Sequence, residues 1–274
     1  VQTLLDQVEA KGEMDVVDDL AFPLPMMVIA ELLGVPNSDR EQFRQWSAHT
    51  VGTDYALRLT TIKQMVPYFL SLIERRRHDP REDLISAFLS AEVDGEHLPE
   101  QDIVGTCMLL LVAGHETTTG LLSNAVVCLD EHPLARQEVM EQPDLLPQAI
   151  EEVLRYRSIV HTIPRVATVD TLLGDQEVQA GDLVLPLFAA ANFDEAQFPN
   201  ASHFNIHRTP NRHLGFGYGI HFCLGAPLAR LETRIALRLL LERFPQIQRR
   251  PDAPLELKPN PAIYGLKHLP VTLR

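Results

Sequence analysis

One long helical segment bounded by prolines constrains this chain more than any other feature. Pro99 opens a stretch that keeps a helical pattern through about His132, and Pro133 closes it. At 1.5 Å per residue, an unbroken helix of that length runs about 45 Å and crosses a whole domain. Its most apolar run, Cys107 to Gly114, breaks at His115 and Glu116, well short of the roughly 20 residues a membrane span needs. The segment therefore predicts a domain organised on helices, with no membrane partner.

The flanking sequence agrees with a mainly α chain that carries a small β region. Helical periodicity marks residues near Gln2–Lys11, Pro25–Leu33, Asp39–Ala48 and Thr61–Arg77, with Pro, Gly and Asp between them. Another helix is predicted over Leu146–Arg157, with Ile150, Val153 and Leu154 on its apolar face. After Pro164 come short β-rich pieces, Thr168–Leu173, Glu177–Gln179 and Leu183–Phe188, which read as one small sheet. Asn192 to Phe216 reads as a long irregular loop packed on the body. A last helix is predicted over Ala226–Phe244, with Leu228, Leu231, Ile235, Leu239 and Leu240 inward, and a terminal hairpin over Leu255–Leu273. No repeat or flexible linker divides the chain, so one domain over 1–274 is expected.

Composition narrows the function classes. A net charge of −13 excludes a general nucleic-acid binder. Three cysteines without a C-x-x-C pair suggest neither a disulfide framework nor a zinc site, and fit a reducing cytoplasm. Charge is uneven, however: between Asn205 and Arg250 stand Arg208, Arg212, Arg230, Arg234, Arg238, Arg243, Arg249 and Arg250, against only Glu232 and Glu242. That segment predicts a basic docking face.

The strongest chemical signal is Phe216-Gly-Tyr-Gly-Ile-His-Phe-Cys223-Leu-Gly-Ala-Pro-Leu-Ala-Arg230. Gly217 and Gly219 permit tight turning, and they deliver one cysteine to the start of a helix. The free N–H groups and positive dipole end of that first turn favour a thiolate. Two other metal or nucleotide readings fail. His115-Glu116 lacks the second His of a zincin, because position 119 is Thr119. Gly215, Gly217 and Gly219 lack the third Gly and the strand-to-helix setting of a dinucleotide fingerprint.

The Cys223 string resembles the cysteine-ligand loop of the cytochrome P450 superfamily, in its bacterial soluble form, and further family motifs stand in the expected order. Ala113-Gly114-His115-Glu116-Thr117-Thr118 resembles the oxygen-binding segment, in which Gly114 would let the helix open locally. The resemblance implies Glu116 and Thr117 as the catalytic acid and alcohol that deliver protons. Glu152 and Arg155 lie three apart and can pair on one helical face; with Arg208 they resemble the family's structural Glu-x-x-Arg network. Arg165 and His221 match positions that hold the haem propionates.

The same resemblance implies a P450 fold, haem b as cofactor, and Cys223 as the axial ligand to iron, with Phe216, Gly217, Ala113 and Gly114 against the haem. A thiolate ligand pushes electron density onto the iron and favours O–O cleavage. Leu109, Val112, Ile159, Val160, Ile163, Ile263 and Tyr264 are expected to border the substrate. The implied partners are O2, an apolar small molecule, and a ferredoxin or flavodoxin-type electron donor. Three positions depart from the family pattern: Phe193, Asn205 and Tyr264. The chain also starts late relative to the family, so the N-terminal helices and strands are expected to be missing. That absence would uncover one haem face and some apolar core, inviting dimerisation. It also defines a rival reading, a catalytically silent fragment with weak or no haem binding. A peroxide-driven hydroxylase is disfavoured, because Glu116-Thr117 suits O2 activation.

Overall fold

The computed structural model describes residues 1–51 and 54–273. The chain divides into two compact units, residues 1–119 and 120–274, and the boundary falls inside its longest helix.

The first unit is helical: α1 (Gln2–Glu9), α2 (Pro23–Leu32), α3 (Arg40–Val51), α4 (Tyr55–His78), α5 (Leu84–Ser90) and the first part of α6 (Glu100–Glu131). A short strand, β1 (Glu13–Asp15), and a π-helical turn over Val17–Ala21 separate α1 from α2. Asp54 and Asp83 cap α4 and α5 by accepting from the Leu57 and Ser86 amides at 2.9 and 2.8 Å. Phe43 and Phe69 are fully buried, with ring centroids 6.2 Å apart edge to face. The hairpin β2 (Glu92–Val93) and β3 (Glu96–His97) turns on Asp94 and Gly95, both at positive φ.

In the second unit the rest of α6 is followed by α7 (Pro133–Glu141), α8 (Leu146–Tyr156), α9 (Phe188–Ala191) and α10 (Ala226–Arg243). Pro133, Pro147 and Pro227 stand in first turns, where a missing N–H costs nothing. Residues 118–129 of α6 are buried without a break, the signature of a helix covered on all sides. Among the described residues, no helix is long and apolar enough to cross a membrane.

Several elements differ from expectation. Instead of one small sheet there are two separate antiparallel pairs, β4 (Arg165–Val166) with β7 (Leu183–Val184) and β5 (Thr171–Leu173) with β6 (Gln176–Val178). The tail hairpin forms, with Lys258 and Lys267 amides donating to Gly265 and Glu256 carbonyls. Its end, β9 (Pro270–Thr272), pairs instead with β8 (Gln248–Arg249). On α10 the inward face is rotated. Leu231 and Ile235 are 44% and 42% exposed, while Glu232, Thr233, Ala236, Leu237, Leu240 and Leu241 are buried.

Candidate functional site

Cys223 stands three residues before α10, at the end of a loop that closes on itself. Its amide donates to the Phe216 carbonyl at 2.9 Å, and the Gly217 and Phe222 amides donate to Leu214 and Gly219 carbonyls. Gly217 and Gly219 take φ of +71° and +69°, a backbone region that a side chain would strain. The result is an exposed thiol on a tightly turned loop. Apolar side chains stand open around it, with Ile220 97% and Leu224 88% exposed. His221 and, on β4, Arg165 are exposed; among the described residues, the Arg165 guanidinium donates only to the nearby Ile163 and Pro164 carbonyls. One soft sulfur ligand, open apolar side chains and two donors for carboxylates are the donor set a haem needs.

Buried charge on α8 holds the irregular segment that leads to this loop. Glu152 and Arg155 are both fully buried. Arg155 grips Glu152 through Nε and Nη2 at 2.9 and 2.8 Å. Its remaining donors reach the carbonyls of Asn192, Ala201 and His203. Arg208 Nε joins the same carboxylate at 3.2 Å, and its other nitrogens reach Pro199, Asn200 and His203 carbonyls. The Asn205 amide and Asn211 side chain complete the shell at 2.9 and 3.1 Å. A segment without regular hydrogen bonds is thus tied down by side chains that satisfy its backbone. Phe193, one departure from the family pattern, packs its ring 5.5 Å from the Arg155 guanidinium.

Sequence reasoning passes over two anchors here. Asn192 is fully buried; its side chain donates to Ser158 Oγ at 2.7 Å and accepts from the Leu214 amide at 2.8 Å. Glu151 takes Arg230 Nε and Nη2 at 2.6 and 2.7 Å and His213 Nε2 at 3.0 Å. No local spacing signals either, since the partners lie between 22 and 79 positions apart.

In the first unit, Thr117 Oγ1 donates to the Ala113 carbonyl at 2.8 Å, and Glu116 is buried with Oε2 3.7 Å from His115 Nε2. His115 is itself held by Ser47 Oγ at 2.6 Å and by the edge of Phe22. Helix α6 runs through Gly114 without opening. A Cβ at Gly114 would stand 2.8 Å from Ile29 Cδ1, so close packing against α2 accounts for this glycine here. Leu109 and Ala113 are exposed on the same helix, and Val112 is half-buried.

The expected apolar lining of the second unit splits. Ile159 is 4% exposed and lies against Gly120, which makes it core. Tyr264 stacks on His161, and its hydroxyl accepts from Arg157 at 3.2 Å. Val160 pairs as an isolated bridge with Ile263, both half-buried, while Ile163 is exposed. Cys107 and Cys128 are buried thiols, pushed up to about 12 by burial.

The basic segment is largely neutralised from within. Arg208 and Arg230 serve α8, Arg249 pairs with Asp130, Arg238 with Glu242 and Arg250 with Asp252. Arg243 is also partnered. Of the eight, Arg212 and Arg234 carry no ion pair among the described residues.

Comparison with known proteins fits this geometry. The family model for cytochrome P450 matches residues 58–267. The chain is 42% identical to the putative cytochrome P450 YjiB of Bacillus subtilis, over 98% of this chain and 70% of that protein. It is also 42% identical to the cyclomarin C epoxidase CymV of Salinispora arenicola, over 99% and 71%. Among solved structures, CYP109E1 from Bacillus megaterium in complex with testosterone superposes with a TM-score of 0.95 at 41% identity, covering 100% of this chain and 76% of that one. A cysteine loop that follows a segment held by a buried Glu–Arg–Arg network, together with these matches, identifies the chain as a member of the cytochrome P450 family of haem b monooxygenases.

Proposed function

We propose that this chain is a haem-thiolate monooxygenase that inserts one atom of O2 into an apolar small molecule, with electrons from an external ferredoxin or flavodoxin-type donor. The observation that carries this reading is the exposed Cys223 thiol on a glycine-turned loop that follows a segment pinned by buried charge. Haem bound there supplies the oxidising chemistry, and the protein contributes position and electronics.

Each residue then has a role. Cys223 would hold the iron through its sulfur and supply the electron-rich ligand that favours O–O cleavage. Arg165 and His221 would hold the two propionates by hydrogen bonds. Phe216 and Gly217 would border the macrocycle. Thr117 Oγ1 donates a hydrogen bond to the Ala113 carbonyl, which leaves its lone pairs to accept one, and Thr117 and the neighbouring Glu116 carboxyl would relay protons to the site. Leu109, Val112, Val160, Ile163, Ile263 and the half-buried Tyr264 would offer contacts to the substrate, whereas Ile159 serves the core. Arg212 and Arg234 are the cations left for an acidic electron donor. Three free thiols suit a reducing cytoplasm. The whole chain acts as one P450 domain.

A reduced, CO-exposed absorption spectrum of the haem-loaded chain tests the reading. A thiolate-type Soret band that disappears in Cys223→Ser is expected. An imidazole-like band, or none, would sink it in favour of a catalytically silent fragment.

A further inference from the structure

Helix α8 carries two neighbouring carboxylates, and they reach different parts of the chain. Glu152 binds Asn205, Arg208 and Asn211, whereas Glu151, among the described residues, binds His213 and Arg230. Arg230 offers Glu151 a two-point fork, and its guanidinium also lies 4.5 Å from the centre of the Phe216 ring. The Phe216 carbonyl receives the Cys223 amide. On the other side, the Gly215 amide donates to His213 Nδ1 at 3.1 Å, which assigns the imidazole proton to Nε2 and makes His213 a donor to Glu151. Gly215 itself lies flush on α8: a Cβ there would stand 3.0 Å from the Leu154 carbonyl.

We propose that Glu151, His213 and Arg230 form a latch that positions the Cys223 loop separately from the Glu152 network, with Glu151 as a positioning residue for the thiolate ligand. The proposal deepens the haem-thiolate reading and rests on it. An ordinary solvated ion pair would contribute little order. This one differs because the fork is bidentate and the His213 side chain is 4% exposed. Burial alone would raise the Glu151 carboxyl, yet hydrogen bonds from Arg230 and then His213 outweigh it and hold it at about 2. Glu151 is therefore ionised across the working pH range. Arg230 is correspondingly raised, first by its hydrogen bond to Glu151.

Hydrogen exchange on the full chain separates the two carboxylates. Glu151→Gln is expected to speed exchange at the Gly215, Gly217 and Cys223 amides by about tenfold, while the Asn205 and Arg208 amides stay within about twofold. Arg230→Lys, which keeps charge but loses the fork, should give a smaller rise at the same three amides. It serves as the readout if Glu151→Gln fails to fold. In the haem-loaded protein, Glu151→Gln should convert the thiolate-type CO band to a thiol-type band faster than the parent does. No change at Gly215, Gly217 and Cys223, or an equal rise at all five amides, overturns the latch. A parent without a thiolate-type band defeats the haem-thiolate reading alone, because the exchange measurement still decides the latch.

Discussion

Two stretches of the second unit, both without long regular structure, are held in opposite ways. Residues 192–223 contain little beyond a single 3-10 turn, yet buried or half-buried arginines, Asn192 and two glutamates on α8 fix them from below. Residues 165–184 form two regular strand pairs, yet Val166, Val169, Leu172, Leu173 and Leu183 all stand open. Regular hydrogen bonding is thus not what anchors a segment here. Side chains that satisfy backbone carbonyls and pack against a helix anchor the irregular stretch, and a ladder with no cover leaves the regular one peripheral.

The largest effect that can break this comparison falls on Glu152. Glu152→Gln leaves Arg155 a fully buried cation without its counterion, and should destabilise the chain by about 3–5 kcal/mol in urea unfolding. A loss under about 1 kcal/mol would mean that the network adds little to the pinned stretch.

Glu232 sharpens the comparison, because it is a buried carboxylate on α10 whose Oε2 has no hydrogen-bond partner among the described residues. Burial raises it from 4.5 to about 7. Between those values the folded chain keeps a proton that the unfolded chain has released, so stability falls as pH rises through that window. Glu232→Gln should therefore have no effect near pH 4.5 and should stabilise above about pH 7, on the order of 2 kcal/mol. Thermal unfolding at both pH values checks the sign. The smallest effect is expected in the open strands: Leu172→Ser, at a side chain 66% exposed, should change stability by less than about 0.5 kcal/mol in the same assay.

Much of the framework is legible in the sequence because proline and apolar spacing are local signals. The expected helix at 100–132 is Glu100–Glu131, that at 146–157 is Leu146–Tyr156, and that at 226–244 is Ala226–Arg243. Shorter elements, such as α5, α7 and the β2–β3 hairpin, leave too little periodicity to find. The inward face of α10 is ambiguous in sequence for a physical reason: Leu231 and Ile235 form as good an apolar stripe as Leu237 and Leu241, and only the packing chooses between them. The basic segment misleads similarly, since Glu151 and Asp130, which neutralise Arg230 and Arg249, lie 79 and 119 positions upstream. Gly114 suggests local opening in sequence, whereas Ile29, far off along the chain, already fills the space a side chain would need.

The carboxylate of Glu152 also sets a condition on synthesis. Its partners from elsewhere in the chain, Asn205, Arg208 and Asn211, are made 53 to 59 residues after it. A nascent chain halted before Asn205 holds the acid without these three partners, and closing so long a loop brings no return until both ends exist. The cysteine loop is made later still. A chain cut short between Cys223 and Arg230 carries the thiol and the Glu152 network but lacks the Arg230 fork on Glu151.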